Sequence, residues 1–289
     1  MVVAGLLAVG CGSEDDSLTY AAIGDSYSSG EGTRDSGDEC GRSPAAYPEL
    51  LAEQLRSEGR LEAASESTEQ SGPAFAFVAC SGAEIPDVES QLDALGDQRF
   101  DLVTLTVGGN DVGFLDTLID CVGADDVIGA LLDRDIGRAL ERGCSFDETE
   151  LEQRTGPLAE GLDELYERIV GEHLADDGRL VVLGYPQLFE DPSDWSAAEG
   201  DSCDGFAKAD AQLLRAAAEK LNATIRETAE GTERVVFVDQ VPAFDGHGRC
   251  SEEPWINGFE IRPRVLASFH PDESGHEASA RAVSETIES

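Results

Sequence analysis

Five short apolar runs alternate with five helical patterns along this 289-residue chain, and few folds accommodate that order. The runs are 18–23, 74–79, 101–107, 179–184 and 234–239. They are β-branched and continuous rather than alternating, as strands buried on both faces are. Helical patterns occupy 45–57, 83–95, 148–175, 204–229 and 272–287. Strands alternating with helices predict an α/β fold whose central five-stranded sheet is mostly parallel and covered on both sides. No internal repeat appears, and no linker divides the chain, so residues 18–289 are expected to form one domain. The stretch between Cys121 and Cys144 reads as an insertion into it.

Folds of this kind bind ligands at the carboxyl ends of their strands. The first strand ends in Gly24-Asp25-Ser26, the second in Cys80-Ser81-Gly82-Ala83 and the third in Gly108-Gly109-Asn110-Asp111. Near the C-terminus stands Ser268-Phe269-His270-Pro271-Asp272-Glu273-Ser274-Gly275-His276. Three polar turns and a histidine segment would therefore converge on one edge of the sheet. Acyl transfer to serine needs a hydroxyl, a base to take its proton, and donors for the developing oxyanion. Ser26 can supply the hydroxyl and His270 the base. The backbone N–H groups of Ser26 and Gly82 and the side-chain amide of Asn110 can supply the donors. The Gly-x-Ser-x-Gly elbow of α/β-hydrolases is absent, since position 28 is serine. His173 reads as a solvated residue of a charged helix, and His276 and His247 as structural. Asn222-Ala223-Thr224 matches a glycosylation sequon, a pattern that also arises by chance.

Charge excludes some partners. Sixty acidic residues against 20 Lys+Arg give a formal net charge of −40. Such a surface repels nucleic acid, and bare anionic lipid as well. The N-terminal run ending Leu7-Ala8-Val9-Gly10-Cys11 looks like a secretion signal with a lipobox, in which Cys11 would carry lipid. Residues 1–17 would then be signal and acidic tether, and the protein would be extracellular or held at the cell surface, attached to a membrane through Cys11. Six cysteines remain: Cys40, Cys80, Cys121, Cys144, Cys203 and Cys250. An even set in an exported chain suggests three disulfides, among 15 connectivities that the spacing leaves open. No Cys-x-x-Cys pair exists, which argues against structural zinc.

The segments GDSYSSGEG, FVACSGA, TVGGND and SFHPDESGH, in that order, resemble the four blocks of the GDSL/SGNH hydrolase family, in particular its secreted actinobacterial lipase/esterase branch. The resemblance runs from about residue 18 to the end and extends to Phe244–Cys250 with Pro254-Trp255. It implies a three-layer α/β/α sandwich, Ser26 as nucleophile and His270 as base. It also implies an oxyanion hole from Ser26, Gly82 and Asn110, and consecutive disulfides 40–80, 121–144 and 203–250. Neither metal nor cofactor is implied; the partner is an acyl-ester substrate and the chain is expected to be a monomer. One departure stands out: many members carry Asp three residues before the histidine, where this chain has Ala267. A backbone carbonyl, of Ala267 or Ser268, would then orient the imidazole, giving a Ser-His dyad. Asp272 and Glu273 read better as capping charges of the final helix.

The resemblance implies a secreted serine esterase or lipase. Two rivals share the fold: a carbohydrate O-deacetylase, separated by substrate, and a non-catalytic surface lipoprotein, disfavoured because Ser26, Gly82, Asn110 and His270 are all present. The charge also makes a physical prediction. The Debye length falls to about 3 Å in 1 M salt, so molar salt should screen self-repulsion and raise the melting temperature. A flat or falling melting curve against salt concentration would remove salt adaptation as the reason for the acidity.

Overall fold

Strand β1 (Tyr20–Gly24) is buried at every position, and its side chains sort strictly by parity. Ala21 and Ile23 enter one apolar cluster, with Val103, Leu105, Leu180 and Val182 from neighbouring strands. Tyr20 and Ala22 enter another, with Leu102, Val181 and Leu183. A period of two on a sheet with two covered faces produces this division, and it explains why the strands read as continuous apolar runs.

The computed structural model describes residues 17–35, 37–62, 73–114, 117–118, 148–195, 202–203, 206–258 and 267–289. Four further strands join β1: β2 (Phe75–Phe77), β3 (Phe100–Thr106), β4 (Leu174–Leu183) and β5 (Val235–Val238). All pair in parallel, in the order β2-β1-β3-β4-β5. Helix α1 (Ser26–Ser29) follows β1 directly. Helices α2 (Tyr47–Ser57) and α6 (Glu273–Ile287) cover the Tyr20 face through Leu51, Leu55, Ala280 and Val283. Helices α3 (Ile85–Leu95), α4 (Glu148–Arg168) and α5 (Lys208–Gly231) cover the other through Val88, Leu92, Leu162, Leu165, Leu221 and Ile225. The three-layer α/β/α architecture is as expected.

Three expectations need correction. The helix anticipated over 148–175 stops at Arg168, unwinds through one π-turn at Ile169–His173, and gives way to β4 at Leu174. There β4 bulges: Phe100 pairs with Leu174, but Leu102 pairs with Arg179. The chain turns tightly at Gly178, where a Cβ would lie 2.6 Å from the Phe100 carbonyl oxygen. His173 is accordingly not solvated; it is 3% exposed, and burial lowers its pKa. The run 74–79 yields only three strand residues, because β2 is an edge strand paired with β1 alone.

A third apolar cluster sits outside the sheet, built from Phe189, Phe206, Phe244, Ile256 and Phe269. The Cys203–Cys250 disulfide lies within it, and Cys40–Cys80 joins the loop after α1 to the turn after β2. Expectations for Cys11, Cys121 and Cys144 fall on residues outside those described.

The sheet leaves no room at the end of β1. Gly24 has φ +119°, and a Cβ there would lie 2.2 Å from the Thr106 carbonyl oxygen. Gly59 has φ +72° with nothing within 4 Å of a Cβ. Gly59→Ala should therefore cost only the left-handed penalty, about 1–2 kcal/mol. Gly24→Ala should cost distinctly more in urea unfolding, and equal losses would show that the β1 turn can yield.

Candidate active site

The chain reverses direction around β1: it steps to β2 on one side, then crosses to β3 on the other. The crevice between the carboxyl ends of β1 and β3 is a topological switch point, where such sheets bind ligands. Ser26 and Asn110 stand on the two turns that flank it.

Asp25 caps α1. Its Oδ1 accepts the Tyr27 N–H at 3.0 Å, and its carbonyl accepts the N–H groups of Ser28 (3.1 Å) and Ser29 (2.9 Å). Among the described residues, that leaves the Ser26 N–H as the uncommitted donor of the first turn, since helix N-termini begin with donors that lack intrahelical partners. The turn is clamped from α3 by the buried Gln91 amide. Its Oε1 accepts the Gly24 N–H (2.8 Å) and its Nε2 donates to the Gly24 carbonyl (2.9 Å). Residue 82 takes φ +81°, and the Cys80 N–H donates to the Gly24 carbonyl (2.9 Å), so the two turns are tied together.

Ser26 and His270 meet although 244 residues separate them: Ser26 Oγ lies 2.7 Å from His270 Nε2. His270 Nδ1 lies 2.9 Å from the Ser268 carbonyl oxygen, so the Nδ1–H donates there. Of the two carbonyls considered, the geometry selects Ser268. The Ala267 carbonyl instead accepts the His270 backbone N–H (3.3 Å). Asp272 caps α6, accepting the Gly275 N–H (3.0 Å), and Glu273 accepts the Arg34 N–H (3.0 Å). Asp272 thus serves as the helix cap, as anticipated, whereas Glu273, in the first turn, ties the loop at Arg34 to the helix.

Three residues that the sequence did not single out hold the histidine. Asn257 Nδ2 donates to the Gly32 (2.8 Å) and His270 (3.1 Å) carbonyls, and its N–H donates to the latter as well (2.9 Å). Tyr27 Oη donates to the Phe269 carbonyl (2.8 Å), and its ring lies 5.1 Å from the imidazole. Phe269 itself sits at φ +62°, a costly conformation for a side chain with a Cβ, held by burial of its ring against Phe206.

Asn110 and His270 line one pocket together with Ser26 and Ser268, whereas Gly82 and Ala267 do not. Asn110 Nδ2 donates one hydrogen to the Ala83 carbonyl (3.0 Å), which orients the amide and leaves its second hydrogen for the crevice. Asp111 accepts the Ile85 N–H (3.0 Å) and anchors this turn to α3. Asp25, Tyr27, Gly109, Tyr185 and Phe269 line the pocket as well, and one wall is apolar: Phe114, Leu118, Pro186, Leu188, Ala218 and Leu221. Phe114 and Leu118 follow β3, Pro186 and Leu188 follow β4, and Ala218 and Leu221 come from α5, one helical turn apart. The sequon residue Asn222 follows them and is 4% exposed. Its Oδ1 accepts from Tyr185 N and its Nδ2 donates to Tyr185 O, both at 2.8 Å. Glycan attachment is therefore excluded in the folded chain. Of the other histidines, His276 is 1% exposed and burial lowers its pKa to about 4. His247 stacks on Trp255 with ring centroids 3.4 Å apart.

Asp25 is buried and carries the one large carboxylate shift at the site. Burial raises its pKa to about 6, against hydrogen bonds from Thr106, Tyr185 and Tyr27 that lower it. A folded-state pKa above the unfolded value means that the folded chain holds the proton longer. Its contribution to stability is present below about pH 4 and is lost as pH rises through about 6. Relative to Asp25→Asn, the wild type should thus lose unfolding free energy between pH 4 and 6 in urea titrations; parallel profiles would place the pKa near its ordinary value.

Comparisons with known proteins give the family. The model of the GDSL-like Lipase/Acylhydrolase family matches residues 22–278. A lipase from Streptomyces rimosus is 32% identical over 260 residues, covering 89% of this chain and 81% of that protein. Lipase 1 of Streptomyces coelicolor is 31% identical over the same length and coverage. Among solved structures, the extracellular lipase of Streptomyces rimosus superposes with a TM-score of 0.67 at 28% identity, over 93% of this chain and 99% of that one. Phospholipase A1 from Streptomyces albidoflavus superposes with a TM-score of 0.69 at 27% identity and the same coverage. With the family match spanning both the Ser26 and His270 segments, the chain belongs to the GDSL-like lipase/acylhydrolase family and is a carboxylic ester hydrolase.

Proposed function

We propose that the protein is an exported esterase that cleaves acyl esters through a Ser26–His270 dyad and an acyl-enzyme intermediate. The observation that carries this reading is the 2.7 Å contact between Ser26 Oγ and His270 Nε2, with Nδ1 committed to the Ser268 carbonyl. That commitment fixes the tautomer in which Nε2 accepts. As Oγ attacks the ester carbonyl carbon, its proton passes to Nε2. The new oxyanion is held by the Ser26 N–H and Asn110 Nδ2, whose residues line the pocket, and by the Gly82 N–H, the third donor that the family resemblance implies, on a turn tied to that of Ser26 but outside the pocket lining. His270 then protonates the departing alcohol, takes a proton from the incoming water, and returns it to Ser26 as the acid leaves. A backbone carbonyl stabilises the imidazolium less than a carboxylate would, so the donors at the oxyanion carry more of the work.

The apolar wall formed by Phe114, Leu118, Leu188 and Leu221 supports an acyl chain rather than a sugar as the bound group. The likeness to phospholipase A1 supports testing glycerophospholipid esters beside simple ones. Export is supported by the description of the related Streptomyces rimosus enzyme as extracellular and by the Leu7–Cys11 segment, where Cys11 would take lipid. Among the described residues, no helix is long and apolar enough to cross a membrane.

Ser26→Ala should abolish nearly all turnover of p-nitrophenyl esters while leaving the melting transition in place, and a serine-directed phosphonate should add to Ser26 alone by intact mass and peptide mapping. Asn110→Ala should lower kcat by roughly 10²–10³ with KM little changed, because the tetrahedral intermediate carries the full charge. An adduct elsewhere would overturn the nucleophile. A rise in KM at constant kcat would make Asn110 a substrate-binding residue instead. Asp272→Asn and Glu273→Gln should each stay within about tenfold of wild type, about 1.4 kcal/mol; a thousandfold loss would reveal a carboxylate partner for His270.

A further inference from the structure

We infer that the Tyr185 hydroxyl is a positioning group that locks the Ser26 turn to the Asn110 turn and so sets where the oxyanion donor stands relative to the nucleophile. The inference rests on the assignment of Asn110 as an oxyanion donor, and it concerns a residue two positions beyond β4, on neither turn. Tyr185 Oη donates to Asp25 Oδ2, the carboxylate that caps the helix begun by Ser26. The same oxygen accepts the Gly109 N–H at 3.0 Å, immediately before Asn110. One hydroxyl therefore spans both sides of the crevice, donating to one turn and accepting from the other.

The surroundings keep that oxygen in place. Asn222 grips the Tyr185 backbone on both its N–H and its carbonyl. The Tyr27 ring meets the Tyr185 ring edge-on, with centroids 5.0 Å apart. The second Asp25 oxygen is occupied by Thr106 Oγ1 (2.6 Å) and the Tyr27 N–H, so the carboxylate cannot rotate away without losing three donors. On the other turn, a Cβ at residue 109 would lie 3.2 Å from both Cζ and Oη of Tyr185, tighter than ordinary contact. Glycine there lets the backbone N–H reach the hydroxyl.

A group that only stabilises the fold and one that aligns two catalytic elements differ in measurable ways. Small misplacements of reacting groups cost rate without costing ground-state binding. Effects that pass through Asn110 must also vanish once its amide is gone. Kinetics would be normalised to sites titrated with phosphonate, at a temperature well below melting. Tyr185→Phe should lower kcat about tenfold or more and leave KM within about twofold. In an Asn110→Ala background the same substitution should cost less than about twofold. An unchanged kcat, a loss expressed in KM, or a full tenfold loss persisting in the Asn110→Ala background would each overturn the proposal. Should Tyr185→Phe give no labelled, cooperatively melting protein, Asn222→Ala carries the test. It releases the Tyr185 backbone but keeps the hydroxyl, and the same kcat-only, non-additive loss is expected. Asn110→Ala on its own separates the two levels: if it leaves kcat intact, the oxyanion assignment fails. If it lowers kcat while Tyr185→Phe multiplies with it, only the positioning role fails.

Discussion

Strand β1 pairs on both of its edges, and the reversal of chain direction around it is the constraint on which the site depends. Parallel pairing with β2 and β3 brings three strand ends to one level of the sheet. The turn after β1 is then bonded to both neighbours, through the Cys80 N–H to the Gly24 carbonyl on one side and the Asp25 N–H to the Thr106 carbonyl on the other. Ser26 begins its short helix from this doubly anchored platform. For the nucleophile proposed at Ser26 this matters: a free loop would lose rate each time it moved, and here the backbone before Ser26 is part of the sheet.

Burial of a carboxylate ordinarily costs stability, and Asp25 shows the cost in a pKa raised to about 6. Its three donors come from β3, from the residue after Ser26, and from the segment beyond β4. A buried ion satisfied by three separate elements specifies their relative positions more sharply than apolar packing does, because each hydrogen bond has a narrow geometry. The imidazole is treated differently. Its Nδ1 lies 2.9 Å from a backbone carbonyl, that of Ser268. The nearby acids are consumed by capping α6 and by the Arg34 backbone.

Much of the fold was legible because its signals are local. Continuous apolar runs with helical patterns between them predicted a parallel sheet, and polar glycine-rich turns after β1 and β3 pointed to the crevice. Where the reading slipped, a distant contact had overridden the local pattern. His173 looked solvated beside Glu172, yet the unwinding at Ile169–His173 turns it into the interior. Asn222 looked like a sequon, but the backbone of Tyr185 claims both ends of its amide. Tyr185 carried a usable signal, for it follows β4 as Ser26 and Asn110 follow β1 and β3. Asn257 carried none, since its partners lie 13 and 225 residues away.

By itself, the sequence determined the layer architecture, the serine and histidine segments, and the absence of an acidic side chain at position 267. Those follow from residue type and from the order of continuous apolar runs and helical patterns, which any segment displays without its neighbours. Only the tertiary structure decided that Ser26 and His270 touch, that Ser268 rather than Ala267 orients the imidazole, and that Tyr185 bridges the two turns. Each of these is a hydrogen bond whose existence turns on a few tenths of an ångström. Such distances are set by how separate elements pack, and a linear order of residues does not contain them.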